Sequence, residues 1–241
     1  MKHNNIQIRV RDIRKELRQM ADKKIAAHSQ RFFKTGEGQY GHGDKFLGVR
    51  VPVLRNIARQ YRGVSLEQAA RLLKSEFHEE RLLSLLLLVV MFKEANDENR
   101  RAIYTLYLEN TRFINNWDLV DTSAEHIVGT YLRDGDKRPL HELSVSDTLW
   151  ERRIAIMSTF HFIKHEEFDD TLKIAEILLD DKEDLIHKAV GWMLREIGKR
   201  NINTEEKFLN EFFKQMPRTM LRYAIEKFPE PKRQRYLKGN V

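Results

Sequence analysis

The chain of 241 residues contains no cysteine. This excludes a disulfide framework, a zinc or iron–sulfur site that needs thiolate ligands, and a thiol nucleophile. A protein without cysteine gains nothing from an oxidising compartment, so the sequence predicts a cytoplasmic location.

Long hydrophobic runs are also missing. The longest extends from Leu82 to Phe92 and is interrupted by Ser84, which leaves it well short of the roughly 20 apolar residues that cross a bilayer. The N-terminal stretch is charged throughout and has no apolar signal core. We therefore expect neither a membrane segment nor an export signal.

Proline and glycine are scarce, at 5 and 11 residues. Beyond residue 49, apolar side chains recur three and four positions apart almost everywhere, and strand-like alternation is nowhere sustained. This spacing predicts a chain that is nearly all helix.

Acidic residues are outnumbered by basic ones. The chain has 43 Lys and Arg against 36 Asp and Glu, which gives a formal charge of +7 and a sequence pI near 9.5. Nucleic-acid-binding proteins show this balance, but so do ribosomal, membrane-surface and ordinary basic proteins.

Three stretches share a basic residue and then alanine followed by a β-branched residue. Their alanines, Ala155, Ala189 and Ala224, lie 34 and 35 residues apart, and looser copies place Ser84 and Ala124 at spacings of 40 and 31. Small residues allow helices to approach closely, and stacked helix pairs bury apolar faces that one pair leaves open. The sequence therefore predicts an all-α fold, an α-solenoid with a concave basic groove. An irregular helical bundle is the alternative.

We predict a single helical-repeat domain over residues 1–241. Its parts are N-terminal helices at 1–33, a glycine-rich connection at 34–51, repeats at 52–228 and a basic C-terminal tail at 229–241. Basic residues near both ends would either contact phosphates or lie on solvated helix faces and a frayed tail. They are Arg9, Arg11, Arg14, Lys15 and Arg18 near the start, and Lys232, Arg233, Arg235 and Lys238 near the end.

Two motif matches are better explained without a ligand. Residues 36–41 fit the dinucleotide pattern G-x-G-x-x-G, but that motif needs a strand before it and a helix after it. His161 and His165 stand four residues apart, yet Phe162 occupies the place where a zinc-binding helix of this type carries glutamate. We interpret the glycines as a chance match and the histidines as exposed side chains, and we expect no metal or cofactor.

A tryptophan and a charged residue share a helix face in three places, which are Trp117 with Asp121, Trp150 with Arg153, and Trp192 with Arg195. Each pair alone is explained by core packing or ion pairing. The tryptophans lie about one repeat apart, however, so stacked repeats would bring their faces onto one groove. Aromatic and arginine side chains there suit nucleic acid, whereas a carboxylate repels phosphate and indicates chemistry on a cationic centre.

The sequence resembles the bacterial AlkD-type DNA alkylation repair proteins, which are monofunctional DNA glycosylases built from HEAT-like repeats. The resemblance covers about residues 30–228. It is carried by the segments FFKTGEGQYGHGDKFLGVRVPVLR, FINNWDLVDTSAEHIVG, LWERRIAIM, HKAVGWMLREIGK and MPRTMLRYAIEKF. It implies excision of N3- and N7-alkylated purines from duplex DNA, in an open groove and with full base flipping not required.

The resemblance also assigns site residues. It places the two groove tryptophans at Trp117 and Trp192, the catalytic aspartate at Asp121 and the arginine at Arg153. The family can carry aromatic residues before the last tryptophan helix, where this chain has Glu183-Asp184-Leu185. Basic residues near these positions are expected to contact DNA as well, namely Arg152, Lys188, Arg195 and Arg222.

The expected chemistry needs one carboxylate. Alkylation at N3 or N7 makes the purine cationic, so the base leaves as a neutral molecule without the general acid that glycosidases normally supply. Asp121 would stabilise the positive charge on the deoxyribose and orient the attacking water. A non-catalytic DNA-binding or scaffold protein is the alternative, and a protein-interaction solenoid is a third. We expect the protein to act as a monomer, since a solenoid groove binds duplex without a two-fold axis.

Overall fold

A computed structural model describes residues 10–240 of the chain. Within this range every regular element is a helix, apart from an isolated bridge between Lys45 and Phe77. The prediction of an all-α fold is confirmed.

The chain folds as two compact units, one ending at Ser123 and the other beginning at Ala124. A single helical-repeat domain over the whole chain stays a prediction. None of the helices between residues 10 and 240 combines the length and the apolar character needed to cross a membrane.

The first unit is built around α5. Its described helices are α1 (Val10–Gln19), α2 (Lys23–Phe32), α3 (Val51–Gln60), α4 (Leu66–Leu73), α5 (His78–Glu94), α6 (Asp97–Glu109), a 3-10 turn (Thr111–Phe113) and α7 (Trp117–Asp121). Helices α3 and α4 pack against α5, which is buried on almost every side. Ser84 of α5 is fully buried and donates its hydroxyl to the carbonyl of Ala69 in α4 at 2.6 Å. The small residue therefore allows the close helix contact that its repeat position predicted.

Glu79 fixes the end of the glycine-rich connection. Its carboxylate accepts the backbone N–H groups of residues 47–49 at 2.8, 2.7 and 3.3 Å. Gly48 has a φ of +85°, and a Cβ there would lie 2.0 Å from the carbonyl oxygen of Asp22, so only glycine fits. Residues 36–41 lie in turns between α2 and α3, and no strand precedes them in this part of the described chain. The strand that a dinucleotide motif requires is thus missing.

Glu80 ties α1 to α5. It is fully buried and accepts from Arg14 at 2.7 Å and from Arg18 at 3.2 Å. These two arginines, for which the sequence left phosphate contact open, are engaged in ion pairs within the unit. Arg9 lies outside the described residues.

The second unit is built around α13. Its described helices are a π-helix (Glu125–Gly129), α8 (Thr130–Leu132), α9 (Arg138–Ser144), α10 (Leu149–Ser158), α11 (Phe160–Ile163), α12 (Asp169–Ile177), α13 (Asp184–Gly198), α14 (Ile202–Phe212), α15 (Arg218–Ala224), a 3-10 turn (Ile225–Lys227) and α16 (Glu230–Lys238). Helix α13 packs against α10 on one side and α15 on another.

The three repeat alanines lie in these packed helices. Ala155 of α10, Ala189 of α13 and Ala224 of α15 are fully buried. Close approach is also required at Gly191, where a Cβ would lie 2.4 Å from the carbonyl oxygen of Met220. The small residues at the spacing found in the sequence therefore lie in three helices of this unit that pack on one another, α10 on α13 and α13 on α15.

Residues 230–238 form helix α16 and not the frayed tail that the sequence analysis allowed. Tyr236 is 2% exposed, and its ring lies edge-on to Phe213 and Phe228 at centroid distances of 5.6 and 5.7 Å. Its hydroxyl donates to Asn210 at 2.9 Å. One buried aromatic side chain thus fixes a helix whose other residues are mostly charged.

Candidate functional site

Helix α7 presents the first two predicted site residues. It begins at Trp117, whose backbone N–H donates to the side chain of Asn116 at 2.9 Å, and it ends at Asp121. Side chains four residues apart lie on one helix face. Both Trp117 and Asp121 are partly exposed.

Trp117 belongs to an aromatic cluster that the sequence analysis did not foresee. Its ring stacks on Phe33 at 5.4 Å with an interplanar angle of 30°, and Phe32 meets it edge-on at 6.0 Å. Phe33 stacks in turn on Phe46 at 5.3 Å. Phe32 is 55% exposed. The aromatic cluster, Phe32, Phe33, Phe46 and Trp117, therefore runs from the buried Phe46 to the surface.

His78 lies against the buried side of this cluster. Its ring centroid is 4.7 Å from that of Phe46 and 5.0 Å from that of Phe33. Both ring nitrogens are engaged, Nδ1 with Asp44 at 3.2 Å and Nε2 with Asp118 at 2.8 Å. A histidine that has carboxylates at both nitrogens is held in its charged form.

Asp44 has further partners. Arg81 donates to it at 2.7 Å and Asn115 at 3.1 Å. We call His78, Asp44, Asp118, Arg81 and Asn115 the His78 network.

The pKa values in the network reflect these contacts. Burial opposes the charge of His78, but Asp118 and Asp44 outweigh it and raise the pKa of His78 from the ordinary 6.5 to about 9. Burial likewise disfavours the charge of Asp44, but His78 and Arg81 outweigh it and lower the pKa of that carboxyl. His78 is therefore a buried cation at neutral pH.

Trp192 is the partly exposed tryptophan of the second unit. It lies on α13, and its indole N–H donates to Glu196 at 3.2 Å. The ring of Phe160 is 6.0 Å away, and Trp192 itself is partly exposed. Trp150, which the sequence analysis placed on the same groove, is only 8% exposed and belongs to the core. That expectation is wrong, because Trp150 packs inward at the start of α10.

Arg153 links two helices of this unit. It is 4% exposed and donates to the backbone carbonyl of Leu185, the second residue of α13. It thus attaches α10 to the first turn of the helix that carries Trp192. Residues 183–185 form the start of α13. They stand where the resembled family can carry aromatic residues.

Three of the four basic residues expected to contact DNA through phosphates are paired with carboxylates. Arg152 pairs with Asp181 at 2.6 Å and Lys188 with Asp184 at 2.7 Å, and Arg195 pairs with Glu226. A phosphate that binds any of them must displace or share a carboxylate.

Lys188 and Arg222 lie on one hollow of about 550 Å³, together with Arg233. The first two belong to the predicted DNA contacts, and Arg233 was expected in the tail. Asp184 and Glu226 line the same hollow. The structure thus brings three cations from α13, α15 and α16 into one surface feature of the second unit.

The paired histidines have protein partners. Nδ1 of His161 lies 3.3 Å from the hydroxyl of Thr130, and Nδ1 of His165 lies 2.8 Å from the carbonyl oxygen of His161. Burial, with His165 nearby, lowers the pKa of His161. Among residues 10–240, no group of three or more His, Asp or Glu side chains is arranged to hold a metal ion.

Sequence reasoning missed the aromatic cluster and the His78 network. The only local signal is the pair Phe32-Phe33 at the end of a helix, followed by a glycine-rich connection. The partners of His78 are 34 and 40 residues away in sequence, and no periodic pattern indicates such contacts.

A protein-family model described as DNA alkylation repair enzyme matches residues 13–228. A solved structure titled as a predicted DNA alkylation repair enzyme from Enterococcus faecalis is similar, with a TM-score of 0.67 and 17% identity over 88% of this chain and 98% of that one. No curated protein sequence matches the chain. The structural likeness concerns the fold, and it confirms the predicted α-solenoid class.

Proposed function

The chain belongs to the DNA alkylation repair enzyme family, and from this premise we propose that it is a DNA glycosylase that removes cationic N3- and N7-alkylated purines from duplex DNA. The observation that carries the proposal is α7, where the partly exposed Trp117 and Asp121 share a helix face. An indole face attracts cations, and a carboxylate beside it stabilises positive charge as that charge develops.

The alkylated base is already a good leaving group. Once the N-glycosidic bond breaks, the base departs neutral and the positive charge moves to the deoxyribose, so no general acid is needed at the base. Asp121 stabilises this charge and orients the attacking water, whose oxygen bonds to the anomeric carbon while its proton goes to solvent or to the carboxylate. Removing a preorganised group of this kind costs about 3–4 kcal/mol of transition-state stabilisation.

The second unit supplies further proposed DNA contacts. Trp192 offers a second partly exposed indole, which suits a sugar or a cationic base. Arg153 is buried and bound to the start of α13, so its proposed role combines holding that helix with reaching a phosphate through its small exposed part. Arg152, Lys188, Arg195 and Arg222 are the remaining proposed phosphate contacts. A role on chromosomal DNA also fits the cytoplasmic location and monomeric state that the sequence predicts.

The experiment measures release of free base from duplex DNA that carries N7-methylguanine or N3-methyladenine, by chromatography and in the presence of EDTA. We expect release by the native protein and a loss of at least about 100-fold in Asp121→Asn. The matched control is Asp134→Asn, because Asp134 is an exposed aspartate of the second unit and should leave the rate unchanged.

Two results contradict the proposal. Full activity in Asp121→Asn rejects Asp121 as the catalytic carboxylate. Tight duplex binding by the native protein without base release identifies the non-catalytic DNA-binding protein instead.

A further inference from the structure

Helix α7 is too short to hold its own position. It has five residues, Trp117–Asp121, and helices of this length are not stable without outside contacts. The indole and the carboxylate proposed to act on DNA stand at its two ends. Whatever fixes α7 therefore sets where both groups lie.

Asp118 makes a hydrogen bond that attaches α7 to α5, beside the buried side chains of Leu119 and Val120. It follows Trp117 directly, its side chain is 13% exposed, and one carboxylate oxygen accepts from Nε2 of His78 at 2.8 Å. The other oxygen, Oδ1, is buried and has no hydrogen-bond partner among the described residues. Among the described residues, His78 is thus the hydrogen-bond donor to the carboxylate of Asp118.

His78 in turn cannot rotate. Its second nitrogen is bound to Asp44, and its ring lies between the aromatic cluster and the two carboxylates. Asp44 is itself held by Arg81 and Asn115. The charged groups that face His78 are therefore Asp44 from the glycine-rich connection, Asp118 from α7 and Arg81 from its own helix.

His78 contacts two residues that neighbour Trp117, namely Phe33 in space and Asp118 in sequence. Its ring lies against Phe33, on which the indole stacks, and its Nε2 holds the residue next to that indole. Glutamine could replace one hydrogen bond but supplies neither the ring nor the positive charge.

We propose that His78 is a positioning residue, which holds the ring of Trp117 and the carboxylate of Asp121 in place through Asp118 and Phe33. Only the turnover measurement of this inference rests on the proposed function. The position of Trp117 can be measured without DNA.

The experiment uses the full chain labelled with 5-fluorotryptophan, whose three ¹⁹F resonances arise from Trp117, Trp150 and Trp192 and are assigned with Trp117→Phe. In His78→Gln the Trp117 resonance should shift or broaden while the other two stay in place. In base release, kcat should fall on the order of 100-fold with little change in KM, as expected for a small displacement of reacting groups.

A second variant covers the case in which His78→Gln does not fold. Asp118→Asn keeps the shape of the side chain and removes its charge. In the native protein the Trp117 resonance should titrate with a midpoint near pH 9, as His78 loses its proton. In Asp118→Asn this midpoint should move to lower pH, because the attraction that holds the proton is weakened.

Glu80→Gln is the matched control. Glu80 is buried in the same first turn of α5, but it contacts α1 and not α7. If both variants alter the Trp117 resonance and turnover no more than this control does, His78 is a stabilising residue only and the proposal is overturned. If the native protein releases no base but the resonance responds as expected, the proposed function fails and the positioning of Trp117 by His78 stands.

Discussion

The indole ring of Trp117 lies stacked on the phenyl ring of Phe33, with 5.4 Å between the centroids and 30° between the planes. Phe33 also stacks on Phe46, at a centroid distance of 5.3 Å. The indole proposed to act in catalysis therefore rests on a side chain that lies 84 residues earlier in the sequence.

Phe33→Leu should slow base release without abolishing it. Leucine fills much of the volume but loses a ring–ring contact worth about 0.5–1.5 kcal/mol, so the single-turnover rate should fall about 2- to 13-fold. Phe212→Leu is the matched control, since Phe212 is a partly exposed phenylalanine of the second unit that packs on Phe208 at 4.8 Å. Equal rates in the two variants would show that the stack does not orient Trp117.

Glu205 should make the stability of the protein depend on pH. It is 2% exposed, its Oε1 has no hydrogen-bond partner among the described residues, and a Cβ at Gly198 would lie 1.7 Å from its Oε2. Burial, with Glu206 beside it, raises the pKa of Glu205 from 4.5 to about 8. The folded state therefore keeps a proton that the unfolded chain releases above pH 4.5, so stability falls as pH rises between these values.

Glu205→Gln should remove this dependence. The slope is at most about 1.4 kcal/mol per pH unit. The free energy of unfolding of the variant should therefore exceed that of the native protein at pH 9, and the difference should shrink at pH 5. Urea unfolding at several pH values measures the difference. The titration of His78 contributes equally to both proteins, so it does not affect this difference. The matched control is Glu211→Gln, because Glu211 is an exposed residue near the end of the same helix, α14. It should give no pH-dependent difference in the free energy of unfolding. A constant offset between Glu205→Gln and the native protein would mean that Glu205 is ionised in the fold.

Lys188 and Arg222 should contribute to the salt dependence of DNA binding. Each cation that neutralises a phosphate contributes about 0.9 to the slope of log K against log salt concentration. The double variant Lys188→Gln with Arg222→Gln should therefore lower that slope by close to two units. Binding of duplex DNA is titrated at several salt concentrations to obtain it.

The matched double control is Lys207→Gln with Lys214→Gln. Both lysines are exposed in the second unit but do not line the hollow that contains Lys188 and Arg222. A slope unchanged by the first double variant would place these two cations on a solvated face away from DNA.

Periodic features of the fold were predictable from the sequence. The helical spacing of apolar residues indicates an all-α chain, and the three alanines at repeat spacing are fully buried where successive helices pack. Such features are visible because each helix must place its apolar residues on a repeating face, whatever the rest of the chain does.

Features that depend on single long-range contacts were not predictable. Trp150 and Trp192 have similar neighbours in sequence, yet one is core and the other is partly exposed. Helix α16 depends on one buried tyrosine, and His78 gains its role from partners 34 and 40 residues away. Local pattern does not record which distant side chain a polar group will meet.

The run of charged residues at the start of α5 has a consequence for how this sequence can change in length. His78, Glu79 and Glu80 each hold a different segment, and each residue added to a helix turns the following ones by about 100°. A single residue inserted at position 78 would therefore turn all three side chains away from their partners at once. At Gly38, whose surroundings are open within 4 Å, the same insertion would lengthen a surface turn. We therefore expect an inserted residue to be tolerated in the turn at Gly38 and not in the first turn of α5.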